Sequence, residues 1–404
     1  MSVQCLKMQA IKSMNFIDRN DFYFVLVATI SLFSLIYLIS GASISYKETI
    51  ILSENKDIIA KLSNLSIAHF SEYLGKDFAL KLPNLIFHFL NLVLIYLISN
   101  KLLKYKQDSI LCVGIYAIIP GVIMQGGILN ESILILFVVL LICYIELIYS
   151  KLIYPLAIVA VFIGESSFML FLALFFYSIV KKNVKMTIFA MFCFAVNLYI
   201  YGISISGRPR GNFLDVIGEL SLLYSPPLFV YFVYTIYRNF TKYKPNLLLY
   251  VSGTSLLVSI ILSIRQGIDK EIFMFMSLCG IPLMIRQFLS EIRTRLPMFQ
   301  QSYKNRFIVI IAILLFEASL LIFSKQIYQF SNDDEIFLNQ FYIAKEIALE
   351  LKNRNISRVS TDEKLQKRLL FYGIGTNGQP LKKVKKGGNI IIKYNEKIVA
   401  RYAI

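Results

Sequence analysis

The chain has 404 residues, of which 57% are hydrophobic and only 17% charged, and its formal net charge is +17. Its repeated apolar runs of about 20 residues are long enough to cross a bilayer. Backbone groups in lipid need internal hydrogen bonds, so these runs have to be helices. The composition predicts an α-helical polytopic membrane protein. The positive charge flanks the apolar runs, which indicates membrane topology rather than a nucleic-acid surface.

Residues 1–21 are predicted to form a cytoplasmic N-terminal tail, and residues 22–324 a transmembrane domain. We expect about eleven membrane-spanning helices in this domain. The predicted spans are 22–41, 84–100, 109–126, 131–149, 152–164, 167–180, 186–205, 220–237, 247–263, 272–289 and 307–324. The first run is too long for an ordinary signal peptide, so it is interpreted as an uncleaved span.

Orientation follows from the distribution of basic residues among the short connections. If the N-terminus is cytoplasmic, the connections at 101–106, 181–185, 238–244 and 286–306 collect lysines and arginines on the inside, whereas the outer connections are balanced in charge. The positive-inside rule favours this arrangement. An odd number of spans then places the C-terminus outside. The richness in Lys, Ile and Asn is typical of a bacterial chain, which predicts a bacterial inner-membrane protein with a periplasmic C-terminal domain.

The segment 42–83 is the longest polar interruption before the C-terminal tail. A connection of this length inside a compact domain is usually functional or disordered. Its apolar periodicity argues against disorder, so we expect a periplasmic loop with interfacial helices.

After residue 324 the long apolar runs end, and residues 325–404 are predicted to form a small α/β periplasmic domain. A helix is expected in 333–353, a strand at ISRVST, and a second helix at DEKLQKRLLFYG that ends at Gly373. NIIIKY and KIVARYAI look like the two strands of a hairpin. The intervening GTNGQPLKKVKKGG is predicted to be a solvated loop.

Charged residues near the membrane boundary are the candidate functional residues, because a carboxylate at membrane depth is costly. The outer-face candidates are Glu48, Glu131, Arg208, Arg210, Arg265 and Lys270. Two carboxylates can act as a base or hold a divalent metal such as Mg, Mn or Zn, while cations stabilise a phosphate leaving group. Simpler roles stay open, since a carboxylate at a helix N-terminus is stabilised by the helix dipole and interfacial cations snorkel. His88, within an apolar run, is expected to be buried and hydrogen-bonded.

Several segments in order resemble the GT-C membrane glycosyltransferases, in the protein O-mannosyltransferase and aminoarabinose-transferase branch. The similar segments are YKETIILSE after the first span, YLGKDFALKLP before the second, IPGVIMQGGILNESILILF at the fourth, LLYSPPLFVYFVYTIYR, and SIRQGIDKEIFMFMSLCGIPLMI. The resemblance covers roughly residues 20–325. The chain departs from the usual pattern in two places, with Lys47 before Glu48 and with a glutamate, Glu131, at the fourth span.

The resemblance implies a GT-C-like fold and transfer of a sugar from a polyprenyl-phosphate donor to a lipid, glycan or protein acceptor at the periplasmic face. Glu48 would be the base or a metal ligand together with Glu131, and Arg265 and Lys270 would face the phosphate, with Arg208 and Arg210 as further cations. The alternatives are a non-catalytic GT-C relative and a flippase-like protein that handles lipids or solutes in envelope assembly. A transporter would place polar groups at mid-membrane, whereas these charges lie at the outer mouth.

Overall fold

The structure is a computed structural model that describes residues 19–202, 213–242, 244–264, 274–327, 342–384, 387–394 and 397–404. Helices dominate as far as residue 327. They are α1 Arg19–Gly41, α2 Tyr46–Glu54, α3 Ile58–Leu74, α4 Lys76–Leu102, α5 Lys106–Ile118, α6 Pro120–Gly127, α7 Ser132–Ile148, α8 Ile153–Val161, α9 Ser167–Val180, α10 Val184–Tyr201, α11 Phe213–Tyr224, α12 Pro226–Lys242, α13 Leu247–Ser263, α14 Ile281–Thr294, α15 Pro297–Ile322 and α16 Ser324–Ile327. Short 3₁₀ turns at Ser150–Leu152 and Met276–Gly280 precede α8 and α14.

A helix lies at every position where a span was predicted, but not all of these helices are long enough to cross a bilayer alone. Four of the described helices, α1, α4, α10 and α15, are sufficiently long and apolar. Two further candidates are bent pairs: α5 and α6 meet at 59°, and α11 and α12 meet at 101°. Pro120 and Pro226 begin the second helix of each pair, and a proline disfavours continuation of the helix before it. The helical architecture is as predicted, whereas the number of spans stays a prediction.

The helix α4 packs in the middle of the bundle, with 61% of its most apolar window buried. It packs against α1, α3, α5, α7 and α14. His88 lies on the buried face of α4. Its Nε2 atom is 2.9 Å from the Ser31 hydroxyl oxygen, and its ring stacks on the Tyr116 ring. The prediction of a buried, hydrogen-bonded histidine is confirmed.

Segment 42–83, called the outer loop after its predicted position, is mostly helical, since it forms α2, α3 and the first two turns of α4. Ser45 and Glu48 begin α2 with a reciprocal capping box, which satisfies backbone donors that a helix start otherwise leaves open. Between α3 and α4 the chain turns at Gly75, where φ is +81°. This left-handed backbone favours glycine and allows two helices to abut without an intervening loop.

The C-terminal segment combines two helices with short strands. These elements are α17 Ala344–Asn353, β1 Arg358–Ser360, α18 Glu363–Phe371, β2 Gly375–Pro380, β3 Lys382–Lys383, β4 Ile390–Tyr394 and β5 Lys397–Ala403. The strands β1 and β2 are parallel, and β5 lies between β3 and β4 with antiparallel pairing. The expected helices, the first strand and the hairpin partners are therefore present. The helix begins at Ala344, and residues 333–341 lie outside the described part.

One C-terminal prediction is wrong: residues 375–383 form strands β2 and β3, where a solvated loop was expected. Glycines and lysines give little strand propensity, so the sequence pattern favoured a loop. The strand forms because its backbone pairs with β1 across a shift in register between Arg358 and Val359. Gly378 permits this approach, since a Cβ there would lie 2.0 Å from the Arg358 carbonyl oxygen.

The C-terminal segment packs directly on the start of the outer loop. Buried Arg368 of α18 donates from Nε to the Ile44 carbonyl at 2.7 Å and from Nη2 to the Ser43 hydroxyl at 2.8 Å. The Tyr372 hydroxyl accepts a hydrogen bond from the Ile44 amide at 3.0 Å and donates one to Asp77 Oδ1 at 2.5 Å. These contacts fix the C-terminal segment to both ends of the loop.

Candidate functional site

The candidate site lies where the outer loop meets the connection between α6 and α7, residues 128–131. Asn84 of α4 holds this connection by donating a hydrogen bond to the Ile128 carbonyl at 2.6 Å. The Asn130 side chain accepts a hydrogen bond from the amide of Ser132, the first residue of α7, at 3.0 Å. The connection is thus ordered by side-chain amides on both sides, and it presents Glu131 to the loop.

Glu48 ties the outer loop to this connection. Its carboxylate is 1% exposed and accepts hydrogen bonds from the Ser45 amide at 2.6 Å and the Leu129 amide at 2.8 Å. Lys81 Nζ, on the first turns of α4, lies 3.9 Å from Glu48 Oε1 and is equally buried. The buried carboxylate therefore has a cation and two backbone donors, and each of its oxygens accepts a backbone N–H.

The neighbouring Lys47 does not share the surroundings of Glu48. Lys47 is exposed whereas Glu48 is buried, because consecutive residues on an α-helix point about 100° apart. Lys47, where the chain departs from the GT-C pattern, therefore does not replace the buried carboxylate of Glu48. The counter-ion of Glu48 is Lys81, from a different helix.

Glu131 lies in the connection just before α7, outside the apolar helix, and is 9% exposed. Its carboxyl group packs against the corner between α8 and α9, where a Cβ on Gly164 would come within 2.6 Å of Glu131 Oε2. Any larger residue at position 164 would displace the carboxyl group. Glu165, in the same corner, contributes a further negative charge near Glu131.

The carboxyl group of Asp57, at the start of α3, lies near enough to that of Glu131 to influence its pKa. Asp57 occupies the N-cap position but makes no side-chain cap hydrogen bond, although aspartate is among the best N-cap residues. Its carboxyl group is directed to Glu131 instead. A hydrogen bond between two carboxyl groups requires that one of them keeps its proton.

The electrostatics place that proton on Glu131. Burial raises the pKa of the Glu131 carboxyl to about 8, and the charge of Asp57, the hydrogen bond with it and the charge of Glu165 act in the same direction. Burial also raises the pKa of Asp57, although the hydrogen bond with Glu131 opposes this shift. The dipole of α3 favours an anion at its N-terminus. At neutral pH the pair is therefore an Asp57 carboxylate that accepts a hydrogen bond from a protonated Glu131.

The predicted pairing of Glu48 with Glu131 differs from what the structure brings together. The structure places the carboxyl group of Asp57 near that of Glu131, and Glu48 lies on the other side of the same connection at Leu129. The predicted phosphate-facing cations Arg208, Arg210, Arg265 and Lys270 lie outside the described residues.

The fit of a divalent metal can be tested on the donor atoms. Both oxygens of Glu48 already accept backbone N–H groups, and a cation at Glu131 would have to displace the Glu131 proton. Over the described ranges, no three His, Cys, Asp or Glu side chains converge as a metal site would require. A metal held by Glu48 and Glu131 therefore stays a prediction, and the described residues supply no third His, Cys, Asp or Glu ligand beside them.

No protein-family model matches this chain, and a search of curated proteins gives no significant match. The resemblance to GT-C enzymes consequently rests on the order and spacing of the segments quoted above.

The sequence did not single out Asp57 as a functional residue, where it appeared only as one acid among several in the loop. The available signal was its place before the apolar period of IIAKL, which marks an N-cap. That pattern predicts a capping role, and only the three-dimensional contact with Glu131 distinguishes Asp57 from an ordinary cap.

Proposed function

We propose that this protein is an inner-membrane glycosyltransferase that moves a sugar from a polyprenyl-phosphate donor to a lipid, glycan or protein acceptor at the periplasmic face. The observation that carries the proposal is the neighbouring carboxyl groups of Asp57 and Glu131, the latter buried, at the junction of the outer loop and the helix bundle. The resemblance of the ordered segments to GT-C enzymes supplies the class of substrate.

In the proposed reaction, Asp57 is the general base. It accepts the proton of the acceptor hydroxyl while the acceptor oxygen forms a bond to the anomeric carbon of the sugar. The bond between that carbon and the phosphate oxygen breaks, and its electron pair stays on the departing lipid phosphate. Arg208, Arg210, Arg265 and Lys270 are the proposed cations that stabilise this charge.

Glu131 serves this reaction as a positioning residue. Its proton allows it to donate a hydrogen bond to Asp57 and to orient that carboxylate, and its neutral state avoids the repulsion of two adjacent anions. Glu48 acts one step further away, because it fixes Leu129 and hence the connection that carries Glu131. The proposal contains no step that depends on a metal.

The experiment is a transfer assay with the purified full-length protein in lipid nanodiscs. A panel of undecaprenyl-phosphate-linked hexoses and pentoses is supplied with an envelope extract as the source of acceptor, and released undecaprenyl phosphate is measured by mass spectrometry. We expect Asp57→Asn to lower the release by about 10²-fold or more, the usual contribution of a general base. Glu131→Gln is expected to lower the release of undecaprenyl phosphate less than Asp57→Asn does, because its side-chain amide can still donate a hydrogen bond to Asp57.

The matched control is Glu72→Gln, which removes an exposed carboxylate from the helix that Asp57 begins. Its release of undecaprenyl phosphate should equal that of the wild type. Equal release by Asp57→Asn and the wild type would overturn the assignment of the base. Absence of release from every donor would overturn the proposed activity and favour a non-catalytic or flippase-like role.

A further inference from the structure

A second candidate site lies away from Asp57 and Glu131, at the outer end of the first helix. A cavity of about 500 Å³ opens between the end of α1, the turn from α3 to α4, and the outward face of α17. Its walls include Ile39, Leu74 and Leu349, which are apolar, and its rim carries lysines. Leu74 is 46% exposed and Leu349 is 53% exposed, whereas Ile39 is buried, so the two leucines form the accessible part of the apolar wall.

The charge of the cavity is positive. Lys76, Lys345 and Lys352 line it, and Asp77 is the one carboxylate among the lining residues that the structure describes. Lys345 Nζ lies 3.1 Å from Asp77 Oδ2, so this acid is already neutralised within the wall. Lys76 is exposed and makes only a 3.4 Å contact with the Phe371 carbonyl. Among the described lining residues, the cations therefore exceed the carboxylates by two.

The placement of these groups on α17 follows helical spacing. Lys345, Leu349 and Lys352 lie four and three residues apart, so they share one face of the helix. An exposed leucine between two lysines is suited to a molecule that is anionic at one end and apolar at the other. The acids of α17 are engaged elsewhere: Glu346 with Lys325 at 3.1 Å and Glu350 with Arg354 at 2.8 Å.

The cavity is continuous with an apolar helix surface. It begins at Ile39 and Ser40, the last residues of α1 before its end at Gly41. In α1 only 22% of the most apolar window is buried inside the protein. The side chains of Phe33 and Tyr37, one to two turns before the cavity, are 71% and 43% exposed. An acyl chain along α1 would thus lead directly to the lysines.

We propose that this cavity binds the phosphate headgroup of an anionic phospholipid of the surrounding bilayer, with its acyl chains along α1. Cationic side chains near a bilayer surface attract anionic lipids, and a pocket that combines them with an apolar wall adds contact with the glycerol and upper acyl region. Since Lys345 belongs to α17 and Lys76 to α4, the bound lipid joins the C-terminal segment to the membrane domain. This inference does not depend on the proposed transferase activity.

The test uses the full-length protein, delipidated in detergent and then offered phosphatidylglycerol or phosphatidylcholine, with bound lipid counted by native mass spectrometry. We expect selective retention of phosphatidylglycerol. The double variant K76Q/K352Q should lower its affinity about tenfold or more, in line with the contribution of two interfacial lysines. Both lysines are exposed, so the melting temperature in phosphatidylcholine should stay that of the wild type.

The matched control is K364Q/K382Q, which removes two exposed lysines of the same C-terminal segment that do not line the cavity. This control should retain phosphatidylglycerol as the wild type does. Equal retention by K76Q/K352Q and its control, or equal retention of the two lipids by the wild type, would overturn the proposal. So would a rise in melting temperature with inorganic phosphate alone that matches the rise with phosphatidylglycerol, because the site would then bind free anions.

Discussion

At the scale of single residues, the acid pair is the feature that the sequence shows least. Glu131 was predicted to matter because a carboxylate opens an apolar helix, and the structure places it in a buried position at the junction. Asp57, 74 positions earlier by residue number, carries no local sign of its contact with Glu131. A hydrogen bond between distant residues depends on how α3 and α7 pack, and spacing within one segment contains no information on that.

The raised pKa of Glu131 leads to a prediction about stability and pH. An acid that binds its proton more tightly in the folded state than its ordinary pKa of 4.5 makes the folded protein lose stability as the pH rises from that value to about 8. Glu131→Gln keeps a hydrogen-bond donor to Asp57 and removes this titration. We therefore expect the variant to lose less stability than the wild type over this range, and to melt at the higher temperature above about pH 8.

Thermal unfolding of the detergent-solubilised protein across this pH range measures the difference in stability between the variant and the wild type. Each kcal/mol should shift the melting temperature by roughly 2 °C. Glu72→Gln is the control, as its carboxylate is exposed and its loss should leave the wild-type pH profile. Parallel profiles for Glu131→Gln and the wild type would show that Glu131 is ionised throughout.

At the scale of secondary-structure elements, apolar periodicity predicted where the helices lie. It did not predict how long each helix is. The run at 109–126 looked like one span, yet Pro120 divides it into α5 and α6 at 59°. The strand β2 was missed for the opposite reason, since it forms through backbone pairing with β1 and not through strand-favouring side chains. Periodicity records which face of a segment is apolar, whereas bends and parallel pairing depend on the neighbours.

The contact between α2 and α4 gives a prediction at this scale. Lys81 and Glu48 are 2% and 1% exposed, so each ion depends on the other in an environment that solvates ions poorly. Lys81→Met leaves the Glu48 charge buried without its cation and is expected to cost about 3–5 kcal/mol of unfolding free energy. The double variant Glu48→Gln/Lys81→Met removes both charges and should recover a large part of that loss.

Chemical unfolding of the two single variants and the double variant completes a double-mutant cycle, which isolates the coupling of the pair. The exposed pair Lys56 and Glu54, at 3.1 Å, is the matched comparison and should contribute less than about 1 kcal/mol. Additive effects of Lys81→Met and Glu48→Gln would contradict a direct interaction across α2 and α4.

At the scale of the whole molecule, the sequence indicated a helical membrane part followed by a small α/β segment, and the described residues have both kinds of structure. The sequence did not predict how the two are joined. Arg368 reads as a charged residue on an amphipathic helix, which usually means a solvated position, yet its side chain is 7% exposed. Its hydrogen bonds include those to backbone carbonyls and a serine hydroxyl, which a sequence does not mark as partners of a charge.

Arg368 is accordingly expected to hold the C-terminal segment on the outer loop. Its guanidinium donates to the Ile44 and Tyr342 carbonyls at 2.7 and 3.0 Å and to the Ser43 hydroxyl at 2.8 Å. Arg368→Met would leave the Ile44 carbonyl without this buried donor, at a cost of about 1–3 kcal/mol for an unsatisfied group, whereas the Tyr342 carbonyl keeps the Ser43 hydroxyl as a donor. Hydrogen exchange should then rise in α18 and in residues 42–45 together, because they separate as one contact. The control Arg354→Met removes an arginine that bonds Glu350 and the Asn389 carbonyl, both within the C-terminal segment, and exchange at 42–45 should not change. If exchange rose in α18 alone, Arg368 would stabilise only its own helix, and the attachment would have to rest on Tyr372 and Asp77.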